Sequence, residues 1–138
     1  MKPSLQPGVS LTRRVLIDRA RTIGFMGEEA RVYATPSMIL DIEHTCRELI
    51  LGRANAGEDS VGIDVSVKHL AATLPGMTVE ISVRVTAVEG RKVSFEVQAK
   101  DELEAICEGT HARFVVDIDK TIERLKAKAA KHATTLKT

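Results

Sequence analysis

The sequence predicts an α+β fold in which a curved antiparallel sheet wraps around one long central helix, with a second helix at the C-terminus. Three observations predict it. Apolar residues recur at three- and four-residue steps at Met38, Ile39, Ile42, Cys46, Leu49 and Ile50, the period of a helix buried along one face. Four β-type runs follow: Ser60 to Ala71, Met77 to Val88, Lys92 to Asp101 and Ala105 to Ile118. The chain has 138 residues, about the size of one domain, and 43% of them are apolar, so 1–138 reads as a single domain with one core.

Each element has a local signal. Pro3 to Gly8 is turn-rich, and Val9 to Asp18 alternates apolar and polar residues as a first strand does. Arg19 to Ala34 lacks a period and contains Gly24 and Gly27, which predicts a loop with one helical turn, of a length that often carries function. Thr35-Pro36 opens the central helix: Thr is a capping residue, and Pro at the first helical position fixes φ where no N–H partner is needed. The helix ends at Gly52 or within Asn55-Ala56-Gly57. Turn residues separate the later strands at Leu74-Pro75-Gly76, Glu89-Gly90-Arg91 and Asp101-Glu102, which predicts a meander paired in sequence order. The tail, about 119–131, sets Ile122 and Leu125 on one face with Lys120, Arg124, Lys126, Lys128 and Lys131 around the rest, a docked amphipathic helix.

Composition narrows the partners. Only 3% of residues are aromatic and none is Trp, which argues against base stacking. Twenty basic residues against nineteen acidic ones leave a formal charge of +1, too little to draw in nucleic acid or an anionic membrane. Cys46 and Cys107 lack metal-ligand spacing and read as buried, reduced thiols, so no metal is expected. No apolar run approaches the ~20 residues that span a bilayer, and the N-terminus has no signal-like segment, so a cytoplasmic location is expected. A five-stranded sheet around one helix leaves open edges, which predicts a homodimer or a higher oligomer.

Four polar or small residues break the packing pattern. Glu43 follows Ile42 and lies four residues after Ile39, on or beside the apolar stripe, where it is either a surface carboxylate at the margin or a partly buried general base or nucleophile. Of the other polar residues of the helix, Asp41, His44, Thr45, Arg47 and Glu48, most can point to solvent. His69 shares a strand face with Val65 and Val67, which makes it either a core histidine satisfied by a carbonyl or a proton-transfer group; His44, His111 and His132 have weaker claims. Thr35 either caps the helix or, with the free amides of the first turn, holds a developing oxyanion. Gly62 inside a strand marks a bulge or a place where a ligand comes close. Eight residues of helix separate Thr35 from Glu43, about 12 Å at 1.5 Å per residue, so one helix cannot bring them into contact. If both act on one substrate, the substrate spans that distance, the chain before Pro36 folds back, or a partner subunit contributes one of them.

Ala34-Thr35, Glu43, Val61-Gly62, the run Val67 to Thr73 before Pro75-Gly76, Ala87 to Arg91 and Gly109 to Arg113 occur in one order along the chain. Together they resemble the fluoroacetyl-CoA thioesterase family of hotdog proteins, over roughly Ala34 to Ile118. The resemblance implies a homodimeric hotdog fold and an acyl-CoA thioesterase whose Thr, Glu and His correspond to Thr35, Glu43 and His69. Gly62 and Arg113 correspond to the substrate-binding Gly and Arg, and no cofactor is implied beyond the coenzyme A of the substrate. The rings of Phe25 and Tyr33 do not match the family's aromatic lid, which implies a general small or medium acyl-CoA substrate. The rival readings are a hotdog enoyl-CoA hydratase and a non-catalytic acyl-CoA-binding module. The basic tail is either a solvated face or a contact for the phosphates of CoA.

Overall fold

The computed structural model describes residues 1–136. Strand β1 (Ser10–Leu16) leads into a segment of two single 3-10 turns, Arg19–Arg21 and Glu28–Ala30, with a small antiparallel pair, β2 (Thr22–Ile23) and β3 (Val32–Tyr33), between and after them. Helix α1 (Thr35–Leu51) and strands β4 (Glu58–His69), β5 (Thr78–Glu89), β6 (Lys92–Lys100) and β7 (Ala105–Asp117) follow, and helix α2 (Ile118–Thr135) ends the chain. The loop predicted at Arg19 to Ala34 is therefore more structured than its composition suggests.

The main sheet has five antiparallel strands in the order β1-β5-β6-β7-β4. Only β5, β6 and β7 form the expected meander. The fourth strand of that expectation, β4, does not pair with β5, because β1 occupies that edge; the Leu70–Met77 connection crosses over and leaves β4 on the far edge beside β7. Register shifts at Gly62/Asp64, Val85/Ala87 and Ala99/Lys100 bend the sheet around α1.

The core follows from two periodicities. Val79, Ile81, Val83 and Val85 of β5 and Val93, Phe95 and Val97 of β6 alternate inward. Met38, Ile42, Cys46, Leu49 and Ile50 of α1 meet them, each burial contributing about 1.5–3 kcal/mol. Two polar residues share this stripe against expectation: Asp41 and Thr45 are buried, Thr45 through a hydroxyl bond to the Asp41 carbonyl at 2.8 Å and Asp41 through side-chain partners described below. Cys46 and Cys107 are free and buried.

Helix α2 forms where its amphipathic pattern predicts, with Asp117 accepting from the Asp119 and Lys120 amides as its cap. It does not dock on its own chain: it has no buried residue, and Ile122 and Leu125 remain exposed. It leaves the sheet at the end of β7 and touches little beyond it. No helix among the described residues is long and apolar enough to cross a membrane.

Candidate active site

Thr35 is the first residue of α1, and the capping role expected of it falls to no side chain. β3 carries extended backbone as far as Ala34, which occupies the N-cap position, so Thr35 is already helical and its hydroxyl is free to reach across the fold. It lies 2.7 Å from Nδ1 of His69. His69 closes β4 on the inner face with Val67. Its other nitrogen, Nε2, is buried and has no hydrogen-bond partner among the described residues. The Tyr33 ring meets the imidazole edge-on, with centroids 6.4 Å apart. Burial holds the His69 pKa below its usual 6.5, which favours a neutral imidazole at pH 7. Beside this pair opens a mainly apolar cleft of about 610 Å³ lined by Ile23, Phe25, Val32, Pro36, Leu70 and Ala71 among others.

Glu43 stands in a second group, half-buried one and a half turns after Met38. Gly62 makes room for it: a Cβ on Gly62 would lie 2.8 Å from Glu43 Oε1, 3.3 Å from His111 Cε1 and 3.5 Å from Arg113 Nη1. The bulge expected at Gly62 is present, between Gly62 and Asp64. Arg113 is only 5% exposed and fully engaged. Its Nε donates to Ser60 Oγ at 2.8 Å, Nη2 to the Ser60 carbonyl at 2.9 Å and Nη1 to His111 Nε2 at 3.2 Å.

These bonds fix the state of His111. A guanidinium only donates and a carbonyl only accepts, so His111 takes the Arg113 proton at Nε2 and donates from Nδ1 to the Asp64 carbonyl at 2.8 Å. The ring is neutral, and burial, with a smaller contribution from Arg113, lowers its pKa accordingly. Burial also lowers the Arg113 pKa, opposed first by the Glu43 carboxylate, so a desolvated cation faces that carboxylate across the Gly62 gap. The neighbouring Cys46 thiol is pushed up to about 12 by burial and stays protonated.

Of the five residues singled out from sequence, the fold thus brings Thr35 to His69, and Glu43 to Gly62 and Arg113, and keeps the two groups apart. Gly62 and His69 are seven residues apart on β4, about 23 Å of extended strand. His111, whose claim from sequence is weaker, lies in this second group: Gly109, His111 and Arg113 share one strand parity with buried Cys107, a signal that places all three on the inner face. Among the described residues no group of three or more His, Cys, Asp or Glu is placed to hold a metal ion.

Residues 17–119 match the sequence model of the fluoroacetyl-CoA-specific thioesterase family. The chain belongs to this family. As a member of the fluoroacetyl-CoA-specific thioesterase family it is a thioester hydrolase, and its architecture is the hotdog fold. It is 30% identical over 135 residues to the fluoroacetyl-CoA thioesterase of Streptantibioticus cattleyicolor, covering 93% of this chain and 97% of that one. A solved structure of a fluoroacetyl-CoA thioesterase superposes with a TM-score of 0.82 at 30% identity, over 89% of this chain and 96% of the other. A thioesterase superfamily member from Thermus thermophilus superposes at 0.84 with 29% identity, over 98% and 99% of the two chains.

Proposed function

We propose that this family member hydrolyses small or medium acyl-CoA thioesters to the free acid and CoA, in sites shared by two protomers. Thr35 and His69 come from one protomer, and Glu43, backed by Gly62 and Arg113, comes from its partner. The observation that carries this reading is the separation of the two groups along one open edge strand, with Gly62 in its first half and His69 at its end. β4 pairs with β7 on one side only, and Val61, Ile63 and Val65 on it are exposed. Such an edge invites pairing with a second copy. Antiparallel pairing of β4 with itself about a two-fold axis at Ser66 sets His69 opposite the Gly62–Ile63 bulge of the partner subunit, because Ile63 and His69 both lie three residues from that axis. The carboxylate beside Gly62 then stands where the single chain leaves the Thr35–His69 pair without one.

The chemistry follows from the groups present. The first intrahelical bond of α1 is donated by Met38 to the Ala34 carbonyl, so the Thr35 and Ser37 amides precede the ladder and are available to a thioester oxyanion beside the Thr35 hydroxyl. Glu43 either attacks the carbonyl carbon, expelling the thiolate and leaving an acyl-enzyme anhydride that water then hydrolyses, or takes the proton of a water that attacks the carbonyl in its place. His69, neutral and with Nε2 unpaired, handles the proton passing to the leaving thiolate, which departs readily because a thiol has a pKa near 8.5. The acyl chain lies in the cleft at Ile23, Val32 and Leu70, whose apolar walls suit an uncharged chain.

A free-thiol assay over saturated acyl-CoAs from acetyl to decanoyl tests the activity. Turnover is expected in the short to medium range, with loss in Thr35→Ala, Glu43→Ala and His69→Ala. Absence of thiol release from every chain length contradicts the reading.

A further inference from the structure

We infer that Asp41, through a hydrogen-bonded clamp on Tyr33 and Arg21, is a positioning residue for His69. The inference rests on the proposed role of His69 in hydrolysis. Asp41 is a carboxylate on the core stripe of α1, 3% exposed, where an apolar residue would be the simpler choice. Its Oδ2 accepts from the Tyr33 hydroxyl at 2.6 Å and from Arg21 Nε at 3.0 Å, while Oδ1 lies 3.4 Å from Arg21 Nη2. Arg21 is held in turn by Asp18 at 2.9 Å, and its carbonyl accepts from the amide of Ala34, the residue just before Thr35. Burial and Asp41 both raise the Tyr33 pKa, so the phenol keeps its proton and acts as donor.

The consequence reaches the site through the ring of Tyr33. Its hydroxyl is fixed by Asp41, its amide by the Thr73 carbonyl at 2.8 Å, and its ring edge abuts the His69 imidazole. Among the described residues the His69 imidazole has a single hydrogen bond, to Thr35, and Nε2 has no partner. One bond leaves an imidazole free to swing about it, so the plane of the ring is set by what it packs against, and Tyr33 is the aromatic wall there. The same clamp draws β2, β3 and the helix start into one body. A carboxylate has acceptor sites enough for the phenol and both guanidinium nitrogens and offsets the charge of Arg21, which accounts for an aspartate in the core.

Tyr33→Phe keeps the ring and removes the fastening; Asp41→Asn keeps the shape and removes the charge. Both are compared with wild type by kcat and KM for the preferred acyl-CoA, and by ¹⁵N spectra of the His69 imidazole. The expected result is a kcat lowered about tenfold in each, with KM changed less than about twofold, and a His69 ring that loosens from Thr35, so that its two nitrogen shifts move toward the averaged values of exchanging neutral tautomers. Tyr33→Phe combined with Asp41→Asn is expected to lose no more than the worse single variant, as a unit does. Folded variants with wild-type kcat and unchanged His69 shifts overturn the clamp. The spectra need no turnover, so an unchanged ring refutes the clamp itself, whereas a shifted ring in variants derived from a protein whose His69→Ala form is fully active refutes instead the catalytic reading on which it rests.

Discussion

Thr35 and His69, 34 residues apart in sequence, meet through a 2.7 Å contact between hydroxyl and Nδ1 that ties the start of the central helix to the end of the edge strand. Removing the hydroxyl frees the imidazole and, in the proposed mechanism, takes one donor from the oxyanion. Thr35→Ala is expected to lower kcat about 10²- to 10³-fold, and Thr35→Ser to recover most of it, since serine keeps the oxygen. Steady-state kinetics of the two variants check this. Equal loss in both contradicts a role for the hydroxyl.

Gly62 and Gly109 separate function from folding. A methyl group on Gly62 meets the far end of a flexible carboxylate, Glu43 Oε1 at 2.8 Å, so Gly62→Ala moves Glu43 and leaves the fold intact. An activity loss of about 10²-fold with little change in melting temperature is expected. The same methyl on Gly109 meets rigid backbone of the paired strand β4, the Ser66 carbonyl oxygen at 2.1 Å. Gly109→Ala is expected to unfold the chain or depress its melting temperature severely. Thermal denaturation and activity measured on both variants distinguish the two glycines.

The buried histidines set an acid limit. His69 and His111 both have folded-state pKa values held below the unfolded 6.5, chiefly by burial. Such a group binds its proton more readily when unfolded, so its penalty is absent above pH 6.5 and stability is lost as the pH falls through and below that value. The melting temperature is expected to drop between pH 7 and pH 5, and less steeply in His111→Gln, which cannot take up that proton. The acidic limb of kcat/KM is expected below 6.5. A profile falling already above pH 7 on the acid side contradicts a neutral His69.

Arg113 illustrates a charge held for geometry. Its guanidinium serves Ser60 twice and His111 once. A lysine has neither the fork nor the reach to do so. Arg113→Lys is expected to cost about 1–3 kcal/mol of stability, the penalty for leaving a buried partner unsatisfied, as read from urea denaturation. A change under about 0.5 kcal/mol contradicts the network.

What the sequence revealed and what it hid have physical reasons. The helix period over Met38 to Ile50 and the strand alternations after Ser60 are local signals, and the elements lie where those signals place them. Gly62 was legible because a glycine has no packing reason to sit inside a strand. The position of β4 was not, because strand order depends on which edge β1 occupies, a choice made by long-range pairing. Asp41 was hidden because its partners, Arg21 and Tyr33, lie in a segment with no period of its own. Thr35 looked like a cap, and only the fold shows its hydroxyl turned to His69.

The shared site makes one sharp demand. Thr35→Ala and Glu43→Ala, each inactive alone, are unfolded together and refolded so that mixed dimers form. The two-protomer account predicts that the mixture regains about a quarter of wild-type activity, since half of the dimers are mixed and each of these holds one intact site of two. A mixture as inactive as its parents, with mixed dimers shown to be present by mass spectrometry, contradicts it.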